Sequence, residues 1–351
     1  MEIVLSILSL LLISCLTLSL VRHDFWLYKI MEYPRLQIVV LVLTMIAGWF
    51  CFWPLELLFY KIIFGGLILS MCYLFYKILP YTSLSKIEMH RVDVRDRGNE
   101  LKIFSANVYQ ENKEYGRLLE QVKNEDPDII FLLETNAAWA EGVASLEKDY
   151  PYTLLLPLEN TYGLLFFSRL KLERGRVNFL VKDDIPSIEA VIHLPSGKTI
   201  QLWGLHPEPP VPGENLYATA KNKELMIVAF KAKKCTSPAI VFGDLNDVAW
   251  SHTTELFRKT SELLDPRRGR GFYNTFSAHH WYIRFPLDYV FCSKEFGLVA
   301  MKRMPKNGSD HFATLTHISL RPDLIEPQEG RKADKEELRE AREMIMKTAE
   351  G

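Results

Sequence analysis

The sequence predicts a layered α/β or α+β domain of about 220 residues, preceded by a membrane anchor of three helices. Three observations predict it: long uncharged apolar runs fill the first 80 residues, about eight short apolar or alternating runs lie between Leu101 and Ser319, and few helix-like stretches separate them. The 351 residues are 48% hydrophobic and 24% charged, which excludes disordered, collagenous and disulfide-scaffold chains. Lys+Arg (42) and Asp+Glu (43) nearly cancel, giving a net charge of −1, so nothing global points to a nucleic-acid partner.

The anchor comes first. No charge occurs from Ile3 to Val21, from Gln37 to Leu55 or from Ile62 to Tyr76, and a membrane-spanning helix needs about 20 apolar residues. The third run reaches that length with Leu57–Phe59 and with Lys61 and Lys77 snorkelling at its ends. Trp53-Pro54 reads as the turn of a helical hairpin, and Trp26, Tyr28, Trp49, Trp53, Tyr73 and Tyr81 suit interfacial belts. Met1-Glu2 supplies no positive region and no small-residue cleavage site precedes Arg22, which argues against a cleaved signal peptide. Arg22, Lys29 and Arg35 outnumber Asp24 and Glu32 in the first loop. The positive-inside bias therefore leans towards a multi-pass cell (inner) membrane protein with a cytoplasmic C-terminal portion. Cys15, Cys51 and Cys72 lie in the apolar runs, leaving Cys235 and Cys292 as the pair a periplasmic disulfide would need.

The expected organisation is an anchor over 1–80, a polar linker over 81–99, a domain over 100–320 and a charged tail over 321–351. Leu101–Ala106, Ile129–Leu133, Tyr162–Phe167, Ile188–His193, Thr199–Leu205, Ala239–Phe242, Leu287–Phe291 and Phe312–Ser319 have the length and the β-branched or aromatic content of strands. Tyr115–Asn124 and Ala218–Lys231 read as helices, and Asp149-Tyr150-Pro151 as a breaker. In the tail, Ala333–Lys347 has helical Glu/Arg spacings and reads as a solvated face. Residues Tyr81–Glu100 show no apolar periodicity and read as a tether that leaves the domain independent of its anchor.

Polar residues end or interrupt these strands at recurring places. Asn107 follows Ile103–Ala106, Glu134 follows Ile129–Leu133, and Asp244 and Asn246 follow Ala239–Gly243. Asp288 interrupts the run around Leu287–Phe291, and Asp310-His311 opens the last strand. A carboxylate at a strand's C-terminal edge is where an open sheet presents its ligand, although each alone is an ordinary turn residue. Together they offer hard oxygen donors, which suit Mg²⁺, Mn²⁺ or Ca²⁺ rather than structural zinc. No Gly-x-Ser-x-Gly elbow competes.

Ser105-Ala106-Asn107, Leu133-Glu134-Thr135, Gly204-Leu205-His206, Gly243-Asp244-Leu245-Asn246-Asp247, Leu287-Asp288-Tyr289 and Gly308-Ser309-Asp310-His311-Phe312 resemble, in order, the signature blocks of the endonuclease/exonuclease/phosphatase superfamily. That superfamily includes pancreatic-type deoxyribonuclease, apurinic endonucleases, inositol-polyphosphate phosphatases and neutral sphingomyelinases. The resemblance covers roughly residues 100–320, and the anchor resembles that of bacterial membrane-anchored members. It implies a four-layered α/β sandwich, two packed mixed sheets flanked by helices, with the site at one end. It further implies Glu134 as the principal metal carboxylate with Asn107 beside it. Asp244 would orient or deprotonate water, Asn246 would hold the scissile phosphate, and His311 would steady the developing charge. Either Asp310 or Asp288 would partner His311 or assist the metal. His206 matches a second histidine that deoxyribonuclease-like and sphingomyelinase-like members keep and apurinic endonucleases lack.

The remaining features admit bland readings. Trp203 reads as core, Pro207–Gly213 as a stiff loop, and His279, His280 and Trp281 as surface. The basic cluster Arg267, Arg268 and Arg270 reads equally as a solvated loop or as a phosphate contact. Basic and acidic side chains balance within Asn99–Leu320, so the domain lacks the charge that non-specific nucleic-acid binding draws on. The expected activity is divalent-metal-dependent hydrolysis of phosphodiesters by a membrane-anchored nuclease. The alternatives are a phosphatase or phospholipase acting on lipid or inositol phosphates, and a non-catalytic membrane scaffold. Nothing in the sequence identifies a protein partner.

Overall fold

A computed structural model describes residues 2–52, 57–94, 97–321 and 328–348. The Trp53-Pro54 turn expected between the second and third apolar runs lies outside them.

Eleven strands and nine α-helices occur among the described residues. The helices α1 (Glu2–Leu18), α3 (Arg35–Phe52) and α4 (Leu58–Ile78) correspond to the three apolar runs, and a short α2 (Trp26–Ile30) lies between the first two. They pack through Leu5, Leu16, Val42, Trp49, Ile63, Leu67 and Leu74, while Leu11, Val40, Leu41, Leu58, Ile62 and Leu69 face outward. Among the described helices only Leu58–Tyr81 is long and apolar enough to cross a membrane. By length this gives one of the three expected spans; α1 has 17 residues and the described part of α3 has 18. At about 1.5 Å per residue the 17 residues of α1 stop short of the roughly 30 Å hydrocarbon core. The first uncharged run is longer than its helix because Ser19–Val21 turn away from helical geometry after Leu18.

The rest is two packed mixed sheets. The first runs β10 (Phe296–Arg303), β11 (Thr314–Leu320), β1 (Glu100–Asn107), β2 (Ile129–Leu133), β4 (Leu164–Ser168), β3 (Tyr152–Leu156), with only the β1–β2 pairing parallel. The second runs β5 (Leu172–Asn178), β6 (Ser187–His193), β7 (Thr199–Leu205), β8 (Ala239–Asp244), β9 (Asp288–Cys292), with only β7–β8 parallel. Alternate residues of each strand face the other sheet, so Ile103, Phe131 and Phe166 meet Ile188, Ile240 and Phe242. The Phe131 and Phe242 rings sit edge to face at 5.1 Å, a favoured geometry. The opposite face of the first sheet carries α5 (Tyr115–Glu125) and α6 (Ala137–Gly142) on Phe104, Ile130 and Leu165. The opposite face of the second carries α7 (Thr219–Lys234), α8 (His252–Ser261) and α9 (Lys335–Met346). Helix, sheet, sheet and helix give four layers.

Two segments expected to be free are docked. In the linker, Tyr81, Met89 and Val92 are buried, and the Val92 amide donates to the Leu298 carbonyl at 3.0 Å. Met89 and Val92 pack beside β10, and Tyr81 packs against Trp250 in the core of the second sheet's outer layer. In the tail, α9 is amphipathic: a capping box of Asp334 and Glu337 starts it, and Ala341 and Met344 bury against the core that α7 and α8 build. Cys235 and Cys292 are not bonded to each other, and all five cysteines are free.

Candidate active site

The site forms where β1, β2, β7 and β8 end side by side. Gly243 makes it possible: its φ of 127° lies in the left-handed region, and a Cβ there would stand 2.1 Å from the Leu205 carbonyl oxygen. Only glycine avoids both penalties, so β8 can press against β7 and deliver Asp244 beside the residues after Leu205.

Asp244 and Asp288 face each other as register partners on β8 and β9, both almost fully buried. His311 places Nδ1 3.0 Å from Asp288 Oδ2 and 3.6 Å from Asp244 Oδ2. Thus Asp288 is the direct carboxylate partner of the histidine. Burial opposes the charge on His311, but Asp244 and Asp288 outweigh it and push the imidazole up to about 10. Asp244 is itself raised, by burial and then by Asp288. Asn107 donates from Nδ2 to Glu134 Oε1 at 2.7 Å and to Asp244 Oδ2 at 3.2 Å, and so bridges the two sheets. Glu134 adopts a left-handed φ of 58°, which turns its carboxylate from the strand into the cleft. Burial raises it to about 7, helped by Asp310 and Asp244 and opposed by Asn107 and His311.

The remaining candidates surround this centre. His206 is buried, unpartnered at Nδ1 and held against the Tyr162 ring at 5.4 Å; burial lowers it to about 4, so it is neutral. Asn246 donates its backbone N–H to Asp244 Oδ1 at 2.9 Å and its side-chain amide to the Pro207 carbonyl at 3.0 Å. The backbone carbonyl of Asp310 accepts from the Ala278 amide, and its carboxylate is close enough to Glu134 and His311 to act on both.

The structure corrects the phosphate-contact reading of the basic cluster. Arg267 is buried and paired with Asp265 at 2.7 Å, and Arg268 is buried against Glu88 at 3.3 Å. Arg270 donates to the carbonyls of Pro266 and Met89. Arg267 does touch the Asp288 carbonyl, at 3.3 Å, but from inside the protein, behind the cleft. Their charge is spent on internal carboxylates and carbonyls, and none is free to meet a phosphate.

Sequence reasoning also missed supporting residues. Ser309 Oγ donates to the Asn107 carbonyl at 2.8 Å and accepts from the His311 amide at 3.0 Å, a role its place before Asp310-His311 could have signalled. Thr275 Oγ1 accepts the Leu287 and Asp288 amides, and Tyr162 backs His206; neither carries a signal in its neighbours.

The donor set fits a divalent cation. Glu134 and Asn107 offer hard oxygens, Asp288 Oδ1 is buried without a partner, and ligand atoms of Asp244, Asp288 and His311 lie within 4.8 Å of one another. With Nδ1 engaged by Asp288 and the ring protonated, His311 serves better as a hydrogen-bond donor than as a ligand. Binding at Glu134 must displace a proton below about pH 7. Metal affinity measured by calorimetry should therefore rise with pH up to about 7 and level off above it, and an affinity flat from pH 5.5 to 8 would exclude Glu134 as the ligand.

The description "Endonuclease/Exonuclease/phosphatase family" belongs to the family model that matches residues 104–311. The chain belongs to this family. Its matched span runs from β1 through His311 and so takes in every strand-end residue of the site. Solved structures share the fold. D. rerio TDP2 complexed with single strand DNA product is 16% identical, with a TM-score of 0.52 over 63% of this chain and 99% of that one. The human Nocturnin catalytic domain with bound sulfate is 19% identical, with a TM-score of 0.50 over 65% and 96%. A Beutenbergia cavernae member of the family is 17% identical, with a TM-score of 0.50 over 64% and 72%. No curated protein matches the chain. Membership makes the chain a hydrolase of this family.

Proposed function

We propose that this chain hydrolyses phosphodiester bonds with a divalent metal cofactor, and that α1, α3 and α4 hold it at a membrane, local thinning of the bilayer accommodating the short α1. The observation that carries the reading is the Asp244–His311–Asp288 cluster, joined through Asn107 to Glu134. Phosphodiester hydrolysis needs an oriented water, neutralised non-bridging oxygens and a proton for the leaving oxygen. Glu134 and Asn107 would hold Mg²⁺ or Mn²⁺, which when bound neutralises those oxygens. Asp244 orients the water and accepts its proton. His311, kept protonated by the two aspartates, donates to the developing charge on the phosphate, while neutral His206 and Asn246 bind its oxygens. Asp310 adds negative charge beside Glu134.

The nuclease reading draws support from the DNA product in the D. rerio relative and loses the support of the basic cluster. A specific observation favours lipid phosphodiesters as a second reading. Trp281, Tyr282 and Ile283 are 79%, 54% and 39% exposed, on the loop that also touches the site through Ala278 and Asp310. Gln37, in the first turn of α3, donates to the Tyr282 carbonyl at 3.0 Å. These aromatic side chains thus sit where a helix of the anchor begins, a position suited to an interface.

The full chain in detergent, supplied with Mg²⁺ or Mn²⁺, should cleave plasmid DNA, RNA or phospholipid vesicles, lose that activity in EDTA, and regain it poorly as Glu134→Ala. Activity on DNA or RNA alone selects the first substrate class, and activity on vesicles alone the second. Full activity after metal removal would overturn the mechanism.

A further inference from the structure

The loop after β8 is held from outside the family's domain. Asn246 adopts a left-handed φ of 48°, a conformation Asn tolerates better than most residues but which still needs support. Its carbonyl oxygen accepts the Tyr33 hydroxyl at 2.7 Å and Lys221 Nζ at 3.2 Å. Lys221 also pairs with Asp247 at 2.8 Å, the neighbouring residue, so it ties down the turn as a whole. Tyr33 belongs to the connection between α1 and α3, and its ring stands edge-on to Phe285 at 5.6 Å. The same connection is fastened at three further places on the loops around the site. Trp250 Nε1 donates to the Glu32 carbonyl at 2.7 Å. The Trp26 amide donates to the Leu216 carbonyl at 2.8 Å, and the Ala218 amide to the Asp24 carbonyl at 2.7 Å. All these partners lie in segments that follow β7 and β8 or precede β9, the strands that carry His206, Asp244 and Asp288.

We infer that Tyr33 is a positioning residue of the active site: its hydroxyl fixes the Asn246 peptide, and so the Asn246 side chain, making the connection between two anchor helices part of the catalytic apparatus. This rests on the reading that Asn246 binds the phosphate. Of the bonds that fasten this connection to the enzyme, the Tyr33 hydroxyl is the one that reaches Asn246, across 213 residues.

The test is a double-mutant cycle on the full-length chain, assayed for metal-dependent phosphodiester hydrolysis. Tyr33→Phe keeps the ring on Phe285 and removes only the hydroxyl, and Lys221 still holds the turn. The variant should lose about tenfold in kcat, with metal affinity unchanged and Tm within about 2 °C of the wild type. In an Asn246→Ala background the same substitution should cost nothing further, because the side chain it positions is gone; a purely structural contribution would cost the same in both backgrounds. Thr44→Ala, which removes a bond to the Val40 carbonyl within α3 and touches nothing at Asn246, should keep wild-type kcat. A wild-type kcat in Tyr33→Phe while Asn246→Ala is slow overturns the positioning role alone, as does an undiminished tenfold loss in both backgrounds. Wild-type turnover in Asn246→Ala overturns the phosphate role of Asn246 and the proposal with it.

Discussion

Asp244→Asn and His311→Ala should each lower kcat by about 10²–10⁴-fold, the range for losing a general base or a group that stabilises transition-state charge. The two variants differ in what they leave behind. Asp244→Asn is isosteric: its Oδ1 can still accept the Asn246 amide, so the β8 turn stands while the base is gone. Removing its charge also removes the largest of the three carboxylate charge influences, from Asp244, Asp288 and Asp310, that raise His311, so the imidazole should titrate lower than in the wild type. His311→Ala leaves Asp244 and Asp288 facing each other with no cation between them, and one carboxylate must take up a proton. It should therefore also cost some stability at neutral pH that returns as the pH falls, since protonation relieves the repulsion. Rates measured at saturating metal, beside thermal melts across pH 5–8, separate the two effects. Wild-type turnover in either folded variant would remove that residue from the chemistry.

The central strands were legible because each lies between neighbours and buries both faces, so its sequence is a near-continuous apolar run; β2, β4, β7 and β8 are of this kind. The strands the sequence did not reveal are β3, β5 and β10, and all three are sheet edges. An edge strand has one unpaired side, and charge and glycine disguise two of these: β5 reads Leu-Glu-Arg-Gly-Arg-Val-Asn and exposes most of its length, and β10 holds Gly297, Lys302 and Arg303, whereas β3, Tyr-Thr-Leu-Leu-Leu, carries neither. The site was legible for a related reason, since Asn107, Glu134 and Asp244 are polar residues where apolar strands end, and chemistry there interrupts an otherwise uniform signal. The arginine cluster misled because a run of charge says nothing of its partners; Asp265 stands two residues before Arg267, but Glu88 and Glu255 are distant in sequence and meet Arg268 only in the fold. Tyr33 stayed hidden for the same reason: its partner is a backbone carbonyl, which no side-chain pattern encodes.

A chain begun at Arg97 should fail to fold stably, contrary to the independence that a polar linker suggested. Truncation there removes Glu88, which pairs with buried Arg258 at 2.5 Å and buried Arg268 at 3.3 Å. Breaking a buried ion pair from one side costs about 3–5 kcal/mol, against a typical total stability of about 5–15 kcal/mol. It also removes Tyr81, whose hydroxyl donates to the Ala249 carbonyl at 2.6 Å and whose ring lies 5.9 and 5.4 Å from the guanidinium carbons of Arg267 and Arg268. Met89 and Val92 leave a bare hollow beside β10; both are buried, and the loss of apolar contacts adds to the loss of charge pairing. A chain begun at Leu79 restores Tyr81, Glu88, Met89 and Val92 and should recover a cooperative melt, while still lacking Tyr33 and therefore turning over slowly. The full chain should remain in the membrane pellet after a carbonate wash and be fully active in detergent. The three chains are thus expected to separate stability from catalysis: the shortest loses both, the intermediate regains only the fold, and the longest has both. A cooperative melt at the full-length temperature with full activity in the chain begun at Arg97 would show that the contacts made by Glu88, Tyr81 and Tyr33 are dispensable.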